Sequence, residues 1–253
     1  MKLSTQGIAL AYGDFKVLQD VTLDATLDGL HGMIGPNGAG KSTLFSVLSG
    51  LMKPDAGEVS FDGHAFGHAS PARRAEMGLG RTFQIPREFK QLTVRQNFMV
   101  GPRKQPGESL LDLYLRPAKV KQFEDETREK ADQLIDFLKL SAVADKPAGG
   151  LSGGQKKLLE LGRALMSEPR FILLDEPYAG VNPVLIEEIS ERIREINRER
   201  GIGFLIIEHN LMALNRLVSD LYVLDTGRLI AHGLPDAVLE EPQVRAAYMG
   251  AAA

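Results

Sequence analysis

Cysteine is absent from the 253 residues, which excludes disulfides, thiolate zinc sites and cysteine nucleophiles together. Neither sign of charge is in excess. The 30 Lys and Arg stand against 33 Asp and Glu, a formal net charge of −3, which excludes a strongly basic nucleic-acid footprint but leaves a local patch open. No apolar run approaches the roughly 18 residues needed to span a bilayer. The longest candidates, Phe171–Leu174 and Phe204–Ile207, have the length of strands. The opening MKLSTQGIALAYGDF lacks a signal-peptide layout, and repeats, low-complexity tracts and long linkers are missing. A soluble, cytoplasmic chain is expected, with an ordinary 43% apolar and 25% charged composition and room for one large α/β domain or two modest ones.

What is present alternates in character along the chain. VTLDATL, from Val21 to Leu27, reads as a half-buried strand in antiparallel company. His31–Ile34 is a short strand leading into a Gly-rich segment, Ser42–Leu48 a helix, and Gly57–Phe61 another strand. From about Pro86 to Met166 the pattern turns helical, with Val120, Phe123, Thr127, Ala131, Leu134, Ile135 and Leu138 at helical spacing. FILL at Phe171–Leu174 reads as a strand buried on both faces. Helix (Val184–Arg198), strand (Phe204–Ile207) and helix (Leu211–Val218) then alternate, implying a parallel α/β core, and a hairpin is expected about Asp225-Thr226-Gly227. The expected organisation is an α/β core of residues 1–85 and 167–253 interrupted by a helical lobe at 86–166.

Gly35–Thr43 reads GPNGAGKST, matching G-x-x-x-x-G-K-[ST] between a strand and a helix. Such a loop aims successive N–H groups at phosphate oxygens while the helix start adds positive potential. Gly35, Pro36, Asn37, Gly38, Ala39, Gly40, Lys41, Ser42 and Thr43 are therefore candidate nucleotide-binding residues. Lys41 would bridge the β- and γ-phosphates, Ser42 would ligate Mg²⁺, and Thr43 could bond a neighbouring phosphate. LLDEP places Asp175 and Glu176 at the carboxyl end of the buried strand, where α/β sheets gather ligands. Asp175 would hold Mg²⁺, and Glu176 would face the attacking water as base or polariser. LSGGQKK offers Ser152 as the cap of a second glycine-rich helix start, with no preceding strand and no partner of its own.

The order GPNGAGKST, Gln84, LSGGQ, LLDEP, His209 resembles the ATP-binding subunits of ABC transporters along nearly the whole chain, and LSGGQ is that family's hallmark. The resemblance implies a P-loop NTPase core with an antiparallel β subdomain and a helical insert, binding ATP and Mg²⁺. It implies that Tyr12 stacks on adenine with Val17 beside it, and that Gln84 reaches the Mg²⁺ and the water. His209 is implied to bond the γ-phosphate, joining Glu176 and Gln84 as catalytic candidates. Ser152, Gly153, Gly154 and Gln155 are implied to close on the ATP of a second ABC ATPase subunit, identical or a sister. Two departures stand out: Asn182 occupies a position where the family generally has aspartate, and Leu30 replaces a frequent glutamate.

RTFQIPREFKQLTVRQNFMVG (Arg81–Gly101), AGVNP (Ala179–Pro183) and QVRAAYMG (Gln243–Gly250) look like the branched-chain amino acid importers. Urea or amide importers and lipopolysaccharide exporters are related alternatives. Membrane-spanning permease subunits are the implied partners, docking at Ile85–Leu92 with Phe89 as a knob, and the chain would sit peripherally on the cytoplasmic face of the membrane. Nucleic acid is not expected as a partner. A soluble ABC ATPase acting on DNA or ribosomes usually has paired ATPase units or long coiled insertions, which this chain lacks; a nucleotide-dependent switch with little turnover stays open. His64 and His68, four residues apart with no third ligand, read as a solvated turn.

Overall fold

The computed structural model describes residues 1–82 and 88–249. The chain divides into two compact units, one of Met1–Gln84, Arg170–Ala179 and Ile186–Ala253, the other of Ile85–Pro169 and Gly180–Leu185.

The first unit opens with β1 (Lys2–Tyr12) and β2 (Phe15–Thr26), paired antiparallel. From Val21 onward β2 alternates buried and exposed residue by residue, as VTLDATL dictates. Then follow β3 (Leu30–Ile34), α1 (Lys41–Leu48), β4 (Ala56–Phe61), β5 (His64–Ala65), α2 (Pro71–Glu76) and β6 (Leu79–Arg81). The second unit supplies α3 (Val94–Met99), α4 (Leu110–Leu115), α5 (Pro117–Phe137) and α6 (Gly153–Met166). The chain continues through β7 (Phe171–Asp175), α7 (Pro183–Arg200), β8 (Gly203–Ile207), α8 (Leu211–Leu217), β9 (Asp220–Asp225), β10 (Arg228–Gly233), α9 (Pro235–Glu240) and α10 (Pro242–Met249).

Among the described residues the strands form two sheets, in the orders β2-β1-β4-β5 and β10-β9-β3-β8-β7-β6. The first is antiparallel throughout. In the second, every pairing is parallel except β9 with β10. Strands β7 and β8 are buried at every residue, the reason their sequences are unbroken apolar runs. Thr226 and Gly227, with φ of 47° and 78°, form the two-residue turn joining β9 to β10; paired positive φ suits the right-handed twist of a hairpin. An apolar cluster that includes Leu3, Phe45, Phe61, Phe171 and Tyr222 lies within this unit.

Within the second unit α5 buries Val120, Thr127, Ala131, Leu134 and Ile135, the stripe its 3.6-residue spacing predicts; Phe123 is half-buried. Thr93 and Gln96 form a capping box at the start of α3, and Ser152 and Gln155 do the same for α6. His64 and His68 are both exposed, and among the described residues no cluster of three His, Cys, Asp or Glu could hold a metal ion.

Candidate functional site

The glycine-rich loop leaves β3 and enters α1. Gly35 and Gly40 adopt φ of 154° and 103°, beyond the ordinary reach of a side-chain-bearing residue. A Cβ on Gly35 would stand 2.0 Å from the Leu224 carbonyl oxygen, and one on Gly40 2.8 Å from that of Val17, so both positions also require glycine for space. The β9–β10 turn braces the loop, since the Gly227 N–H donates to the Ala39 carbonyl at 3.0 Å. Gly40, the N-cap of α1, brings no side-chain bond, and the first turn of that helix carries no acid, which leaves its amides and the dipole for an anion.

Lys41, buried, donates to the carbonyls of Gly35 at 2.7 Å and Pro36 at 3.0 Å. An ammonium has three donors and the loop takes two, so a third remains for a phosphate oxygen. Burial pushes the Lys41 pKa down, opposed by the carboxylates of Glu176 and Asp175. Asn37, Gly38 and Ser42 are exposed, Pro36 and Thr43 half-buried, and Ala39 buried. Tyr12 ends β1 half-exposed, its hydroxyl donating to the Met52 sulfur at 3.4 Å. Val17 belongs to the apolar cluster, and its carbonyl walls the loop.

The carboxyl ends of β7 and β8 supply the acids. Asp175, the last residue of β7, lies 3.4 Å from the Arg81 guanidinium, and its N–H donates to the Thr82 hydroxyl at 3.3 Å. Glu176 follows with φ of 50°, an unusual value for a long side chain, and its N–H donates to the Ile207 carbonyl at 3.0 Å. This geometry brings Glu176 Oε1 to 3.1 Å from His209 Nε2. Asp175 and Ser42 are hard oxygen donors of the kind Mg²⁺ takes, one carboxylate and one hydroxyl beside a phosphate cradle, so the residues fit that ion with phosphates and water completing its shell. Gln84 lies outside the described residues.

Glu208, which the sequence reading passed over, is buried at 3% exposure beside His209. Its carboxylate accepts from the N–H groups of Tyr178 at 2.6 Å, His209 at 2.9 Å and Asn210 at 3.4 Å. Burial pushes its pKa up, against those three donors. A signal existed: LIIEH ends an apolar strand in an acid, the same pattern that singled out LLDE. Tyr178, also passed over, is buried with its hydroxyl 2.6 Å from Ser190 Oγ, and burial takes its pKa to about 12.

In the second unit Ser152 caps α6, accepting the Gln155 N–H at 3.3 Å while the Gln155 side chain accepts the Ser152 N–H at 3.0 Å. Gly153 is exposed, and a Cβ there would meet nothing nearer than 3.6 Å. Gly154 is buried, and its Cβ would fall 1.7 Å from Leu185 Cδ2. Asn182 accepts the Leu185 N–H at 3.0 Å, capping the start of α7 as an aspartate would. Of the expected docking segment, residues 85–87 lie outside the described residues. Phe89 is half-exposed, and Asn97 holds its backbone at both N–H (2.9 Å) and carbonyl (3.0 Å). The Arg163 guanidinium lies 4.8 Å from the Phe89 ring centre.

A family model described as "ABC transporter" matches residues 18–179, and one described as "Branched-chain amino acid ATP-binding cassette transporter" matches residues 228–253. The chain is 41% identical over 252 residues to a Methanocaldococcus jannaschii protein named "Probable branched-chain amino acid transport ATP-binding protein LivG", covering 98% of this chain and 97% of that one. It is 36% identical over 248 residues to the "Lipopolysaccharide export system ATP-binding protein LptB" of Haemophilus influenzae, covering 98% and 97%. The crystal structure of the ADP conformation of an ATP-binding cassette of an ABC transporter superposes with a TM-score of 0.86 at 41% identity, over 99% of both chains.

Proposed function

Because the chain belongs to the ABC transporter family as an ATP-binding subunit, and is an ATPase, we propose that it powers a branched-chain amino acid importer from the cytoplasmic face of the membrane. The observation that carries the hydrolytic part is the 3.1 Å contact between Glu176 and His209, beyond the ends of β7 and β8.

In this reading the amides of the Gly35–Thr43 loop and the Lys41 ammonium hold the β- and γ-phosphates of ATP, and Tyr12 stacks on the adenine with Val17 behind the loop. Magnesium bound with the nucleotide neutralises phosphate charge, and Ser42, Asp175 and Gln84 would hold it. Glu176 takes or polarises a proton of the attacking water. The water oxygen bonds to the γ-phosphorus, the bond from that phosphorus to the β–γ bridging oxygen breaks, and ADP leaves. His209 donates to the γ-phosphate and orients Glu176. Ser152, Gly153, Gly154 and Gln155 close on the nucleotide held by a second ATPase subunit, identical or a sister. Phe89, with its backbone locked by Asn97, is the knob for a membrane-spanning permease. Among the described residues no helix is long and apolar enough to cross a membrane, which fits a subunit that relies on such a partner.

Branched-chain amino acids are favoured as cargo by the family match at residues 228–253 and the name of the 41% identical relative. The similarity to LptB favours lipopolysaccharide export as the second reading. Native complexes purified from membranes and reconstituted in liposomes separate the two. ATP-dependent accumulation of radiolabelled leucine is expected. Full ATPase activity with no leucine, isoleucine or valine movement would remove the cargo assignment while leaving the motor in place.

A further inference from the structure

Strands β7 and β8 are in register up to Asp175 opposite Ile207, and beyond that point both strands end and the backbone runs into connecting segments. The N–H groups of Tyr178, His209 and Asn210 there lie past the last ladder pairing, and one side chain collects all three. We propose that Glu208 is a positioning residue for hydrolysis, whose buried carboxylate ties the turn carrying Glu176 to the turn carrying His209. This rests on the reading of Glu176 and His209 as the catalytic pair.

The connections close a ring. Glu176 Oε1 meets His209 Nε2 at 3.1 Å, the His209 N–H meets Glu208 Oε2 at 2.9 Å, and Glu208 Oε1 meets the Tyr178 N–H at 2.6 Å, two residues from Glu176 along the chain. A ring of this kind leaves the Glu176–His209 separation little freedom. The one backbone conformation in it that resists, Glu176 at φ 50°, is held in place by its own bond to Ile207 and by Glu208 two residues on. Tyr178 is fixed in turn through Ser190 on α7, so the clamp is anchored outside the ring as well. Glu208 is 3% exposed and its carboxylate is engaged by three backbone N–H groups, so it acts through its neighbours.

The test measures steady-state ATP hydrolysis and thermal melting of the full chain, purified with its membrane partners, as wild type, Glu208→Gln and Glu208→Ala. Glu208→Ala is expected to lower kcat at least tenfold with the KM for ATP within twofold, because misplacing a catalytic pair costs the transition state and not the bound ground state. Glu208→Gln keeps one carbonyl acceptor for one of the two turns and is expected to fall between; if the alanine variant fails to fold, the same kcat-against-KM split is read from the glutamine variant. A kcat within twofold of wild type in folded Glu208→Ala, or in Glu208→Gln where the alanine variant does not fold, would overturn the proposal. So would a KM that rises in step with the loss of kcat, or a loss that only tracks the unfolded fraction, since either marks a merely structural role. Parallel His209→Ala and Glu176→Gln samples separate the two levels: if those abolish turnover while Glu208 variants keep it, only the clamp is wrong, and if those keep turnover the underlying pair is wrong.

Discussion

The two glycines of the α6 start are adjacent in sequence and opposite in environment, and replacing each by alanine should separate packing from ligand binding. At Gly154 the new methyl would fall 1.7 Å from Leu185 Cδ2 and 2.8 Å from its Cγ, so Leu185 must leave its rotamer or α7 must shift. Overpacking of this kind costs about 1–3 kcal/mol. Alanine recovers at most about 1 kcal/mol of helix propensity, and less in a first turn. The balance is a destabilisation of about 1–2 kcal/mol, and for a chain of this size a melting temperature lower by about 2–8 °C. At Gly153 the same methyl meets nothing closer than 3.6 Å, so the melting temperature should hold or rise slightly. Its effect should appear in turnover if, as proposed above, this exposed helix start meets the nucleotide of a second subunit. Differential scanning fluorimetry and steady-state ATPase assays on both variants read the two effects, and Leu185→Ala should recover most of the loss in the Gly154→Ala background. Equal destabilisation by the two alanines, or none at Gly154, would refute the packing argument.

Glu176→Gln should retain ATP binding, measured by equilibrium dialysis, and stabilise the nucleotide-bound dimer in gel filtration while ending turnover; phosphate release near the wild-type rate would remove Glu176 from its role. Asn97→Ala strips a fully buried amide that bonds Phe89, Leu92 and Thr93, leaving their groups unpaired, and should cost about 2–3 kcal/mol in urea melts. Retained stability there would show that the Phe89 segment is not held as described. Glu208 also predicts a pH dependence. Its pKa is raised on folding, so the folded state binds the proton more tightly, and its contribution to stability is greatest at low pH and is lost as pH rises from the ordinary carboxylate range through the raised value. The melting temperature of Glu208→Gln relative to wild type should therefore climb as pH rises through that window, and a flat or falling difference would contradict the burial argument.

Much of the fold follows from period and punctuation. The alternation of VTLDATL, the unbroken FILL and FLII runs, the helical stripe from Val120 to Leu138 and the Thr226-Gly227 turn each mark an element that burial then decides. The phosphate loop is legible because its glycines are needed twice, for conformation and for space against Leu224 and Val17. What the sequence conceals is long-range partnership. Nothing around Arg81 in the sequence names its partner; the parallel pairing of β6 with β7 sets it beside Asp175, ninety-four residues away. Glu208 reads as a polar strand end until β8 places it under two turns at once. Gly154 looks like a ligand-facing glycine, and only the structure shows that Leu185 also leaves no room for a side chain there.

Asn182 shows how the same structure weighs a departure from the family pattern. Aspartate and asparagine are nearly equivalent as helix caps, and Asn182 caps α7 through the Leu185 N–H at 3.0 Å. The substitution therefore leaves the local fold intact and removes only a charge. If this position faced a partner cation across a subunit pair, Asn182→Asp should strengthen nucleotide-dependent dimerisation at low salt and lose that gain at high salt, because a newly formed exposed ion pair is screened over about 10 Å at 0.1 M. If the position serves only as the cap, Asn182→Asp should leave both the melting temperature and the dimerisation equilibrium where they are. Sedimentation equilibrium of the hydrolysis-deficient Glu176→Gln chain with ATP, at two salt concentrations, decides between them. The cap bond, satisfied inside one chain, is the reason to expect the second result: the Asn182 side-chain oxygen is already committed to the Leu185 N–H, a role that either amide or carboxylate fills.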